Sequence, residues 1–263
     1  MPAARESLLD AAYTALTQRA WTAIRMVDVA AAAGVSRQTL YNEFGSKDGL
    51  ARALVRRETE NYLAGVARAL SRGASAAGAR GDAAGRVVAA AAWTLRTARA
   101  NPLVRAVLTG CWSDRLPNPS RGPADPAPVR ADRSGIPVQR AAAPVEGPLP
   151  GPAELVGRFC DQAVAALEPD WPAEELPALG TACETAARLT LACVVAPPVS
   201  GAPQVPGRIP AQPARREPET EAVSRLVRSA FARTAGTAGT AAGAPPAGQG
   251  GRETVTTASA DQG

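Results

Sequence analysis

From Arg5 to Arg19 the apolar positions Leu8, Leu9, Ala12, Tyr13 and Leu16 recur at three- and four-residue steps between polar ones, a period that predicts an amphipathic helix. A second, shorter helix is predicted over Met26 to Ala33, where Met26, Val29, Ala30 and Ala33 share a face. It stops at Gly34, because glycine readily adopts the positive φ that ends a helix and turns the chain. Ser36 then offers a hydroxyl to cap a third helix, Ser36 to Phe44, on which Leu40 and Phe44 point inward. Gly45 ends that helix in turn. A longer fourth starts at Ser46 and runs to about Leu70, with Leu50, Leu54, Tyr62, Val66 and Leu70 along its buried side.

After a weak Gly/Ala/Ser stretch, 71–85, the helical period resumes over Val87 to Ala100 and Pro102 to Trp112, with Asn101 and Pro102 between them as a stop and a start. Ala153 to Leu167 presents Val156, Phe159, Cys160, Ala163, Val164 and Leu167 on one side; Glu174 to Ala196 is longer and more apolar; Glu219 to Arg233 is the last helix predicted. No alternating strand pattern competes. The fold expected is all-α: an N-terminal three-helix helix-turn-helix domain over 1–50, joined by the long fourth helix to an α-helical ligand-binding and dimerisation domain over 51–233, with a disordered tail over 234–263. Pro-rich composition marks an insertion near 113–152 and a loop at 197–218.

Composition narrows the function classes. The chain of 263 residues carries a net charge of +5, which suits an anionic partner without naming one. Every basic residue except Lys47 is Arg, and with the Ala, Gly and Pro load this reads as codon bias of a GC-rich genome. Cys111, Cys160, Cys183 and Cys193 sit singly among apolar residues with no His in the chain, so no metal centre and no cofactor is expected. The absence of His also removes the Ser-His-Asp and Cys-His arrangements, and neither a GxSxG elbow nor a P-loop is present, so no enzyme is expected. The polar N-terminus lacks the apolar core of a secretory signal, and no run approaches the roughly 18 apolar residues of a membrane span, so a cytoplasmic protein with no membrane contact is expected.

The chemistry concentrates in GVSRQTLYNEFGSKDGL, 34–50. Helix, glycine turn, helix is the arrangement in which a second helix enters the DNA major groove. Such a helix needs planar or short polar side chains at its N-terminal end for base edges, and flanking groups for phosphates. Arg37 suits guanine and Gln38 suits adenine; Thr39 offers a hydroxyl and a methyl; Tyr41, Asn42 and Lys47 suit phosphate. Residue types and spacing leave two readings open, this one and the solvated face of an ordinary three-helix unit. A different class of function also stands beside them, a basic helical adaptor for acidic proteins or a membrane surface. For that, Arg52, Arg56, Arg57 and Arg68 make a near-basic face, interrupted by Glu58 and Glu60.

The stretch VDVAAAAGVSRQTLYNEFGSKDGLARAL resembles the DNA-binding domain of the TetR family of bacterial transcriptional regulators, in the helix ending AAGVS, then TLY, an aromatic three residues on, and SKDGL. The resemblance spans about residues 5 to 63. It implies a ligand-responsive repressor that binds a palindromic operator of double-stranded DNA as a homodimer and is released by a small-molecule effector. By position it places Arg37, Gln38, Thr39 and Asn42 at bases or nearby phosphates, Ser36, Tyr41 and Lys47 on the backbone, and Thr22 and Arg25 at a phosphate near the start of the second helix. Asn42-Glu43 stands where the family often has a basic or aromatic residue followed by His. NPLVRAVLTG, 101–110, with ARLTLACVVAPP, 187–198, is similar to the subgroup with a QsdR-like C-terminal domain. Trp93, Leu108, Cys111, Trp112, Phe159 and Leu189 are the expected lining of a pocket between helices, and the helices at 176–196 and 219–233 the expected dimer surface, with packing inside one chain as the other reading for both.

Overall fold

A computed structural model describes residues 2–72, 83–118, 148–196 and 218–241. Most of the segments read from composition as insertion, loop and tail lie outside these. Among the described residues every regular element is helical: α1 (Pro2–Gln18), α2 (Met26–Ala32), α3 (Arg37–Phe44), α4 (Lys47–Arg72), α5 (Ala83–Ala100), α6 (Pro102–Thr109), α7 (Pro152–Leu167), α8 (Leu176–Val195) and α9 (Pro218–Ala241). A 3-10 turn, Trp21–Ala23, joins α1 to α2, and two more, Glu168–Asp170 and Ala173–Glu175, lead from α7 into α8.

One core runs through both halves. Leu8, Leu9 and Ala12 of α1, Val29 and Ala30 of α2, Leu40 and Phe44 of α3 and Leu50 and Leu54 of α4 are buried together, so the short helices α2 and α3 are held by tertiary packing rather than by their own propensity. Further along, α4 packs against α5, α6 and α7, and α8 lies between α5, α7 and α9.

The boundaries differ from the sequence expectation in places with identifiable causes. α5 begins at Ala83, ahead of Val87, because Arg86 is buried and binds across the fold: Nε donates to the Leu70 carbonyl at 2.8 Å and Nη2 to that of Ala166 at 2.5 Å. α6 stops at Thr109 rather than Trp112, since Gly110 takes φ +71° there. α9 runs beyond Arg233 to Ala241, into the segment read as tail. The described helix Ala173–Val195 is also long and apolar enough to cross a membrane by length and composition alone, where counting uninterrupted apolar residues had given no such span. Glu184 and Arg188 interrupt that run, and Leu179, Ala182, Cys183, Ala186 and Ala187 are buried inside the fold, as in a core helix.

A polar network ties the two halves. Glu58 of α4, 8% exposed, receives the Asn101 side-chain amide at 2.7 Å and Arg57 at 3.0 and 2.8 Å. Arg57 reaches on to Asp10 of α1 at 2.7 Å. Asn101 caps α6 by accepting from the backbone N–H of Leu103 and Val104.

Candidate nucleic-acid interface

α2 ends in a paired backbone closure: Gly34, at φ +69°, donates to the Ala31 carbonyl and Val35 to that of Ala30, at 3.1 and 3.0 Å. This pairing satisfies the free carbonyls of the last turn and requires the positive φ that glycine tolerates. Two residues later Ser36 caps α3, its Oγ accepting from the Thr39 N–H at 3.0 Å. With Leu40 and Phe44 pinned in the core, the opposite face of α3 must point outward. Arg37, Gln38 and Asn42 are exposed there, and Thr39 and Tyr41 half-buried.

These exposed groups are partly engaged with one another. Gln38 donates to the Asn42 carbonyl oxygen at 2.8 Å, and the Arg37 guanidinium stands 5.3 Å from the Tyr41 ring centre. A pair of i, i+4 contacts of this kind holds rotamers that a flexible face would sample freely. Ser36 and Thr39 also share a hydroxyl–hydroxyl bond of 2.9 Å. Glu43 turns to α1, where its carboxylate lies 3.9 Å from Arg5.

The start of α4 is built against α3. Ser46 Oγ accepts from the Gly49 N–H at 3.0 Å, and a Cβ at Gly49 would fall 1.9 Å from the Phe44 carbonyl oxygen, so only glycine lets the α3–α4 corner close this tightly. Lys47 then projects back to the α1–α2 connection, 5.4 Å from the centre of the Trp21 ring, with Nζ 3.4 Å from the Thr22 carbonyl oxygen. Burial there lowers its pKa from the ordinary lysine value, and neighbouring Asp48 acts the other way. Arg25, at the N-cap of α2, is held by Asp28 through two bonds of 3.1 Å, and Thr22 lies exposed in the 3-10 turn. The structure therefore gathers Thr22, Arg25, Ser36, Arg37, Gln38, Thr39, Tyr41, Asn42 and Lys47 onto the α2–α3 unit and the corners beside it. What sequence reasoning missed is Trp21, the platform for Lys47. Its 3-10 turn has no hydrophobic period long enough to reveal it.

The six residues expected to line a pocket differ in exposure. Leu108 and Phe159 are buried in the core, Cys111 is exposed beyond α6, and Trp112 and Leu189 are half-buried. Trp93 lines a groove between α4 and α5. A larger open groove of about 610 Å³ lies between α7 and α8, with Val156, Gly157, Cys160, Val164 and Gly180 among its walls.

Residues 8–54 match the family described as bacterial regulatory proteins, tetR family. The chain is similar to the HTH-type transcriptional regulator AlkX of Mycobacterium tuberculosis, 50% identical over 62 residues, which cover 24% of this chain and 29% of that protein. It is also similar to an uncharacterized HTH-type transcriptional regulator of the same species, 48% identical over 56 residues, 21% of this chain and 28% of that one. The chain thus matches less than a third of the length of these curated relatives. A crystal structure of the TetR family repressor AlkX from a Dietzia strain, described as implicated in biodegradation of n-alkanes, aligns over 88% of this chain and 97% of its own, at 23% identity and TM-score 0.47. The family match, 8–54, stops short of 101–110 and 187–198, which carry the resemblance to the QsdR-like subgroup.

Proposed function

We propose, from an N-terminal unit that belongs to the tetR family of bacterial regulatory proteins, that this chain is a cytoplasmic, DNA-binding transcriptional regulator. The observation that carries the reading is the rigid presentation of α3: capped by Ser36, pinned by Leu40 and Phe44, with Arg37, Gln38 and Asn42 outward at its first two turns. In this reading α3 enters the major groove, Arg37 and Gln38 read base edges, Thr39 and Asn42 read bases or nearby phosphates, and Thr22, Arg25, Ser36, Tyr41 and Lys47 hold the backbone. Arg25 exchanges Asp28 for a phosphate on binding.

The same reading makes the chain a homodimer on a palindromic operator, a repressor released by a small-molecule effector. The α7–α8 face supports pairing. Gly157 and Gly180 both line its groove, and a Cβ on either would meet nothing within 4 Å. Glycine inside a helix costs about 1 kcal/mol relative to alanine, a cost with no return inside one chain. A second copy packed closely against these backbones would supply one. α9 packs Val223, Val227, Ala230 and Phe231 inside its own chain and leaves Leu226 exposed on its outer side.

The test is selection of bound genomic fragments with purified protein. Enrichment of an inverted repeat with half-sites about one DNA turn apart is expected. Recovery of fragments with no shared sequence would sink the proposal.

A further inference from the structure

The groove between α4 and α5 is built from matching faces. Gly65, Arg68, Ala69 and Arg72 come from α4 at steps of three, one and three residues, and Ala89, Ala92, Trp93 and Arg96 come from α5 at the same steps. Small side chains floor it, Trp93 walls it and three guanidinium groups stand around it, enclosing about 230 Å³.

Two features set it apart from a solvated helix face. The indole of Trp93 is fixed: Nε1 donates to the Tyr62 carbonyl at 3.2 Å, and the ring lies so close to α4 that a Cβ at Gly65 would fall 2.2 Å from it. The arginines also have no carboxylate partner among the described residues. Arg25, Arg57, Arg158 and Arg188 each hold a carboxylate, whereas no ion pair to a described residue is made by Arg68, Arg72 or Arg96. Neither 65–72 nor 89–96 contains Asp or Glu, so nothing on the two faces neutralises them.

We propose that this groove binds a small organic phosphate, with its phosphate oxygens on Arg68, Arg72 and Arg96 and its flat apolar part against Trp93. Guanidinium groups match phosphate oxygens two at a time, and a fixed aromatic wall favours a planar body over a bare ion. DNA backbone is the wrong occupant by distance: Arg68 lies about 30 Å along the α4 axis from Lys47, at 1.5 Å per residue. The inference does not rest on what the N-terminal unit binds.

Calorimetry on the full chain tests it, with ADP as probe, adenosine as the same ring without phosphate, and pyrophosphate as phosphate without a ring. ADP is expected to bind once per chain and at least about tenfold more tightly than either control. Arg68→Ala combined with Arg96→Ala should weaken ADP at least about tenfold, while the circular dichroism and melting midpoint of the unliganded protein stay put; the exposure of both side chains keeps folding out of the comparison. The double variant should also leave the salt dependence of duplex DNA binding unchanged. Failure of ADP to bind, ADP no tighter than adenosine or pyrophosphate, or an undiminished double variant overturns the proposal, and a shallower DNA salt slope in that variant would give the groove to the DNA backbone instead.

Discussion

Ser36 uses one hydroxyl to start α3, accepting from the Thr39 N–H, and its loss leaves an N-terminal donor of the helix unpaired. Ser36→Ala is expected to cost about 1 kcal/mol in urea unfolding. Arg37 is exposed and stacks over the Tyr41 ring in the free chain, so Arg37→Ala should leave stability within about 0.5 kcal/mol yet cost about 1–3 kcal/mol on the specific operator, relaxing preference at one position. Equal loss on random duplexes would contradict base reading. Lys47 behaves differently because it already has a partner. Lys47→Ala should lower stability by about 0.5–1 kcal/mol through the lost contact with Trp21, and should weaken all DNA sequences alike, with a salt slope shallower by about one unit per subunit. The residue types on the α3 face were legible because a capped, pinned helix leaves them nowhere to point but outward. Their partners were not: that Arg25 holds Asp28, or that Gln38 holds Asn42, depends on rotamers that spacing alone does not choose.

At the scale of elements, α1, α4 and α6 meet at Glu58. The sequence showed Glu58 only as an interruption of a basic face, because a buried acid looks like a surface one until its partners, 43 residues away in the case of Asn101, are in place. Asn101→Ala removes both the α6 cap and a donor to the buried carboxylate, so a loss of about 2–4 kcal/mol is expected, the sum of a cap and an unsatisfied buried group. Glu58→Gln combined with it should cost clearly less than the two singles added, since both act on one network; strict additivity would disprove the coupling. Between α7 and α8, burial pushes the Cys160 thiol up to about 11 and the Cys183 thiol up to about 12. The folded chain keeps these protons where the unfolded chain releases them, so their stabilising contribution is complete below about pH 9 and falls as pH rises from there toward 12. Urea midpoints across that range should decline less steeply in Cys183→Ala than in the parent chain. Thiol labelling at pH 8 should reach exposed Cys111 first.

For the whole molecule, helix order and content followed from apolar period and from Gly, Ser and Asn-Pro punctuation, which are local properties. The placement of α5 and α9 against α8, and hence which faces remain free, is a product of long-range packing and could not be read locally. That placement leaves a groove between α7 and α8 as a proposed meeting face for a second copy. The side that α8 shares with α7 is open, bearing Gly157 and Gly180 and rimmed by the Glu184–Arg188 pair at 2.7 Å. Because a side chain at Gly157 meets empty space in one chain, Gly157→Arg should keep or raise monomer stability, by up to about 1 kcal/mol from helix propensity, while forcing two paired faces apart. Sedimentation should then shift from twice 26.8 kDa to a single chain. A regulator that engages two half-sites through one dimer gains about 10²–10⁴ in affinity from the linkage, so the same variant should fall by that order on the full operator and remain unchanged on an isolated half-site. If Gly157→Arg stays dimeric with full operator affinity, the α7–α8 face is not where the copies meet.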